Sequence, residues 1–245
     1  KKGAHPDHVQ FFGGYPTHVR GLVIRNNYFD TIGQGIFGGA ISTKDGKTKG
    51  VCKDVLVENN VVISSHLRCW SMTTTDNVTC RNNLFGFQPN QLKPGAKLHG
   101  GAALIYMKRW GGGPYVFANN ICRMMGAPDH EQFTGVKNLV LMPRGNPPAG
   151  NLGPAELDEV FVGYTEHDYT IRAGSPTIDA GNAEHAPKTD ILGQPRGEKP
   201  DIGPMEYDPE NTRPLKERFL ELLKKRQAEI IASCKHPTEE ATAEQ

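Results

Sequence analysis

The sequence predicts an all-β chain that coils, stacking short parallel strands turn upon turn, with an amphipathic helix towards its C-terminal end. Three observations predict it. One pattern is written four times, as Val23-Ile24-Arg25-Asn26-Asn27-Tyr28-Phe29, Leu56-Val57-Glu58-Asn59-Asn60-Val61-Val62, Val78-Thr79-Cys80-Arg81-Asn82-Asn83-Leu84-Phe85 and Val116-Phe117-Ala118-Asn119-Asn120-Ile121-Cys122. Its second Asn falls at 27, 60, 83 and 120, at intervals of 33, 23 and 37 residues. The composition, with 28 Gly, 18 Pro and 37% hydrophobic residues, suits many short strands and tight turns rather than a helical bundle. From residue 211 the character changes. Over residues 214–232, Leu215, Phe219, Leu222, Leu223, Ile230 and Ile231 form one broad apolar stripe among Lys, Arg and Glu.

Each element has a local reason. Asn tolerates the left-handed backbone that a sharp corner between two strands requires. When the corner recurs in every turn, the amides can hydrogen-bond from one turn to the next, as in cross-β ladders. Ahead of the Asn pairs lie strand-like runs at residues 9–12, 40–43, 69–72 and 103–107, and a fifth at 139–142 follows the last pair. Strands of about five residues and short turns need a little over ~20 residues per coil. The 23-residue interval therefore fits a bare coil. The longer intervals carry Gly-rich loops around residues 33–50 and 86–113, and insertions of this kind project from one face, often the binding face.

After Gly126 the pattern loosens. Residues 143–154 read as irregular connection, with late strands at 160–162 and 169–172. The expected organisation is residues 1–145 as coils, 146–210 as a closing segment, 211–235 as the helix and 236–245 as a polar, disordered tail. The helix either covers the stack or makes an oligomer contact.

Composition also excludes. A net charge of +1 gives no bulk electrostatic case for nucleic acid or a membrane surface. The sequence holds no apolar run of about 18 residues, the length a membrane-spanning helix needs. Five scattered cysteines, without a paired spacing, argue against a disulfide framework or a zinc site and suit small core residues. Residues 1–6 are not a signal peptide and lead straight into a strand, as in a fragment or a processed product.

The repeated runs resemble the right-handed parallel β-helix superfamily, which includes pectate and alginate lyases, polysaccharide hydrolases, epimerases and phage tailspikes. A second resemblance lies in Ser175-Pro176-Thr177-Ile178-Asp179-Ala180-Gly181, then Asp190-Ile191-Leu192-Gly193-Gln194-Pro195-Arg196, then Pro200-Asp201-Ile202-Gly203-Pro204-Met205-Glu206. This is similar to the closing segment of many bacterial β-helix proteins, although Pro204-Met205 stands where relatives usually carry Ala and an aromatic residue. Together the two cover residues 5–207. They imply a right-handed parallel β-helix (solenoid), placed outside the cell, in the periplasm or on a virion surface, and they leave the reaction open. Asp179, Asp190, Asp201 and Glu206 are turn-forming acids that can accept backbone N–H groups, and Arg196 is placed to pair with one of them. We read them as a structural network without a cofactor; Ca2+ is the less favoured alternative.

Chemistry is expected on an outward strip. If Val9 and Phe11 face the core, strand alternation turns His8, Gln10 and Phe12 outward, with Asp7 beside them. Openings with a similar His-x-Asp-x-x-Gln pattern occur in some β-helix proteins of bacteria and phages. The same column continues with Ser42 and Lys44, Arg68, then Tyr106, Lys108 and Arg109, then Arg144. An acidic polysaccharide is the expected partner, its carboxylates held by Lys and Arg and its rings against Phe12, Tyr106 or Trp110. β-Elimination would use Lys108 or His8 as base and Arg109 or Arg144 as carboxylate neutraliser. For each basic residue alone, a solvated sheet face is the simpler reading. Hydrolysis would need a pair of carboxylates at fixed separation, and none stands out. The rival expectation is a non-catalytic structural or receptor-binding module, such as a phage tail or virion appendage.

Overall fold

A computed structural model describes residues 7–14, 17–30, 32–41, 50–65, 69–89, 111–125, 131–143 and 146–233, and the backbone of 104–109. Three parallel sheets dominate it. Sheet A joins β1 (Asp7–Gly13), β5 (Gln34–Ala40), β8 (Trp70–Thr73), β11 (Leu104–Arg109) and β14 (Met124–Met125). Sheet B joins β2 (Val19–Arg20) and β3 (Val23–Arg25), which both pair with β6 (Cys52–Glu58), then β9 (Asp76–Arg81), β12 (Tyr115–Ala118) and β15 (Phe133–Val136). Sheet C joins β4 (Tyr28–Asp30), β7 (Val61–Ser64), β10 (Leu84–Phe87), β13 (Ile121–Cys122) and β16 (Leu139–Val140). In chain order the strands fall in sheets A, B and C, and the cycle repeats through all five strands of sheets A and C.

The corner between sheets B and C explains the Asn pairs. The first Asn of each pair takes the left-handed conformation, with φ of 54°, 54°, 51° and 56° at Asn26, Asn59, Asn82 and Asn119. The second Asn builds the ladder. Its side-chain oxygen accepts both the backbone N–H and the side-chain N–H of its counterpart one round earlier, at 2.9 to 3.1 Å from Asn27 to Asn120. Two rungs that the pattern did not announce extend it, Asn138 and Asn151. There Lys137 and Gly150 supply the positive φ in place of Asn. Residues 139–142, expected among the strands ahead of the corner, therefore contribute β16 to sheet C instead.

The second-round strand of sheet A also departs from expectation. It lies over Gln34–Ala40 rather than 40–43. Three glycines make this run read as loop, yet the neighbouring backbone requires them. Gly39 has φ 134°, and a Cβ there would run into the Thr73 carbonyl.

Trp70 ties the three sheets into one core: its ring meets Phe85 of sheet C and Phe117 of sheet B edge-on, with centroids 6.2 and 6.0 Å apart. In sheet C, β7 and β10 are buried on both sides. One side faces Trp70; the other is covered by residues after 150. There β17 (Phe161–Gly163) and β18 (Asp168–Ile171) form an antiparallel pair, preceded by α1 (Leu157–Val160). The Tyr164 hydroxyl exchanges hydrogen bonds of 2.8 Å with the N–H and C=O of Phe87. It fits because Gly86 lies beneath it, where a Cβ would approach within 2.6 Å of Tyr164 and Ile63.

The closing segment docks along the Asn corner. Asn59 donates to the Thr189 carbonyl at 2.8 Å, Asn82 to the Asp201 and Gly203 carbonyls at 3.1 Å, and Asn119 to Asn182 at 2.9 Å. Thus the first Asn of three pairs holds the closing segment, while the second holds the rounds together. The long helix α2 (Leu215–Ser233) anchors through its first turns. Leu215 and Phe219 are buried, Leu215 N–H reaches Thr170 Oγ1 at 2.7 Å, and Phe219 stacks on Tyr28 at 5.7 Å. The other end keeps its stripe in water, with Ile230 62% and Ile231 56% exposed. No helix among the described residues is long and apolar enough to cross a membrane.

Candidate functional site

Of the strip expected from the sequence, Asp7, His8, Gln10 and Phe12 fall on β1 and Tyr106, Lys108 and Arg109 on β11 of sheet A, whose register can be read row by row. Gln10, Phe37, Ser71 and Tyr106 are in one row, and Phe12, Gly39, Thr73 and Arg109 in another. A register shift between Met107 and Arg109 puts Arg109, rather than Lys108, level with Thr73. Arg68, Trp110 and Arg144 lie outside the described residues, as do Ser42 and Lys44, and of Tyr106, Lys108 and Arg109 only the backbone is described. The described part is open on β1, and on β5 only Phe37 is half-buried. Gln10 is exposed and donates to the Asp7 carboxylate at 2.8 Å, and half-buried Phe12 and Phe37 meet edge-on at 5.3 Å. Ser71, one round further, is buried. His8 does not stand free on this face: its ring stacks on Phe29 of sheet C at 5.3 Å.

A second constellation lies at the end of β4, where the chain turns from sheet C towards Gln34, the sheet A partner of Asp7, and it joins Asp30 to Gln88 and His167, 58 and 137 residues away. Asp30 ends β4, and its side chain is only 4% exposed. Gln88 donates to it at 3.0 Å from two rounds away, and the Tyr169 hydroxyl lies 3.2 Å from His167 Nδ1 beside it. His167 places Nδ1 at 2.8 and 3.1 Å from the two carboxylate oxygens. A carboxylate only accepts, so Nδ1 carries the proton, and in the neutral imidazole Nε2 is left bare. The His167 side chain is 42% exposed and its backbone is left-handed, with φ 62°. A non-Gly residue held in that region stores strain of about 1–3 kcal/mol, a feature that clusters at functional sites.

The surroundings are aromatic and dry. Burial pushes the phenols of Tyr28 and Tyr169 well up, and the Asp30 charge adds to both. The Tyr28 hydroxyl is buried and finds no hydrogen-bond partner among the described residues. Glu166 and Asp168 flank His167 in sequence, but each carboxylate is taken up locally, by Thr165 Oγ1 at 2.6 Å and by the Thr170 N–H and hydroxyl at 3.0 and 2.5 Å. Further along sheet C, Arg123 is a buried cation without an ion pair among the described residues. Its guanidinium lies over the Phe87 ring at 4.9 Å, and burial lowers its pKa.

The acids of the closing segment are engaged with backbone. Asp190 accepts from Leu192, Gln194 and Glu206 N–H, and Asp201 from Asp179 and Tyr207 N–H. Arg196, its side chain 2% exposed, pairs with Glu206 and also donates to Asn59 and to the Gly203 carbonyl. Among the described residues no group of three or more His, Cys, Asp and Glu is placed to hold a metal ion. Neither Asp30 nor His167 carries a motif, and Gln88 sits 58 residues from the acid it serves. No signal short of the fold brings them together. The chain matches no family model and no curated protein.

Proposed function

We propose that the chain is a right-handed parallel β-helix that recognises an acidic polysaccharide on sheet A and cleaves it by β-elimination, acting outside the cytoplasm or on a virion surface. The observation that carries this reading is the open first strand of sheet A, with half-buried Phe37 beside it. Parallel rungs about 4.8 Å apart give a flat, ordered face, and on it Gln10 and Asp7 offer hydrogen bonds beside the exposed edges of Phe12 and Phe37. Sugar hydroxyls and ring faces need that combination of groups. The backbone register has Arg109 in Phe12's line three strands on, and a guanidinium there would serve the carboxylate of a uronate.

The test is a panel of uronate-rich and neutral glycans, with binding measured by calorimetry and cleavage by the ultraviolet absorbance of the unsaturated product. Selective binding of uronate-rich glycans with growth of that absorbance is the expected result. Equal binding of acidic and neutral glycans would remove the reading. A structural or receptor-binding module is favoured by one separate observation, the bare apolar stripe of α2, with Leu220, Leu223, Ile230 and Ile231 all exposed. A solution mass above that of one chain, without any glycan binding, would select it.

A further inference from the structure

We propose that His167 is the proton-transfer residue of this protein, with Asp30 as its positioning residue. The inference rests on the reading of the chain as acting on a uronate-containing glycan. Three features of the pair go beyond a structural contact. The Asp30 carboxylate is almost fully enclosed and is taken up by Gln88 and by His167, so it serves to hold the imidazole. The imidazole, by contrast, keeps a solvent-open side, and Nδ1 is the atom spent on Asp30. Finally, the chain holds His167 in a left-handed conformation that a β-carbon disfavours, which fixes the ring on a rigid element between the turn at 164–166 and β18. An imidazole whose Nδ1–H is held by a carboxylate offers Nε2 as base and, once protonated, as acid.

The step balances without any further reagent. Nε2 takes the proton from C5 of the uronate as the C5–H bond breaks. That electron pair becomes the C4=C5 double bond, and the C4–O4 bond breaks with its pair on O4. The imidazolium returns the same proton to O4, and His167 ends as it began. His8 is less suited: its ring is stacked against Phe29.

The experiment uses the full chain in three measurements. Long-range proton–nitrogen NMR reads the tautomer of His167 with no substrate present. Turnover, glycan affinity and melting temperature are then compared for the parent, His167→Asn and Asp30→Asn. Asn suits a left-handed position and keeps an N–H for Asp30, so His167→Asn is expected to fold. The expected result is an Nδ1–H tautomer in the parent. His167→Asn should lose turnover by about 100-fold or more, the usual contribution of a general base, with affinity and melting temperature unchanged. Asp30→Asn should shift the tautomer population as well as lower turnover. An Nε2–H tautomer overturns the proposal before any glycan is tried. Full turnover by His167→Asn overturns it and leaves β-elimination standing. Binding without turnover by the parent overturns it and leaves glycan recognition standing. Absence of any glycan binding by the parent overturns both.

Discussion

Replacing Asn83 by Leu tests whether the Asn ladder is a cooperative structural element or a decoration of the corner. Asn83 is fully buried and works in both directions. Its oxygen accepts the backbone N–H and the side chain of Asn60 at 3.0 and 2.9 Å. Its amide donates to the Val57 and Arg81 carbonyls and to Asn120, at 3.0, 2.9 and 2.9 Å. Leu fills a similar volume but leaves the Asn60 N–H and two carbonyls without these partners in a place water cannot reach. Each buried orphan costs about 1–3 kcal/mol, so the change should cost about 3 kcal/mol or more. For a chain of this size that is a fall in melting temperature of about 6–12 °C, at roughly 2–4 °C per kcal/mol. The control is Asn27→Leu. Asn27 begins the ladder and is only half-buried; its amide donates to Arg25 and Asn60, and no earlier rung depends on its oxygen among the described residues. That variant should cost under about 1 kcal/mol. Thermal denaturation followed by circular dichroism measures both. Equal losses from Asn83→Leu and Asn27→Leu would refute the ladder reasoning, because only a rung with neighbours on both sides has partners to orphan.

Two further outcomes follow from burial. Phe219→Ala removes a ring packed on Tyr28 and should cost about 3 kcal/mol in denaturant unfolding, whereas Ile230→Ala, on the bare end of α2, should stay within about 0.5 kcal/mol; comparable losses would mean that the whole stripe is covered. Burial raises the Cys80 thiol well above its ordinary value and pushes Cys122 up to about 12. The reactive thiolate of Cys122 is therefore scarce in the folded state even at pH 10, Cys80 is shifted in the same direction, and both buried thiols should label with a thiol reagent at pH 8 only after unfolding. Labelling of either in the native protein, read by peptide mass, would contradict their enclosure.

The corner was legible because it obeys a backbone rule that few residues satisfy. A strand-to-strand corner needs one residue at positive φ, and four times the chain uses Asn for it, with the stacking Asn beside it. Where another residue meets the same need, the signal fades while the physics persists. Lys137 and Gly150 take the left-handed position, and the ladder continues through Asn138 and Asn151. Strand Gln34–Ala40 was hidden for the opposite reason. Its glycines lower every measure of strand propensity, yet they are required by neighbouring backbone that a Cβ would strike. Propensity describes what a residue prefers in isolation, and stacking decides what the site can admit.

The two candidate sites differ in how a sequence could have shown them. Alternation along β1 and β11 is local, so the strip on sheet A could be drawn up from two short runs, with the register shift at Met107 and Arg109 as the feature that alternation alone does not carry. The Asp30–His167 pair is not local in any sense. Its members are 137 residues apart, and they meet because the closing segment folds back over sheet C. What makes that return possible is visible in small residues: Gly86 admits the Tyr164 hydroxyl, and the Asn pairs offer amides to the returning backbone. These contacts fix residues 164–171 against the sheet, and the imidazole inherits its position from them. A segment that resembles a structural closing piece thereby also delivers the one solvent-open imidazole held by a buried carboxylate among the described residues.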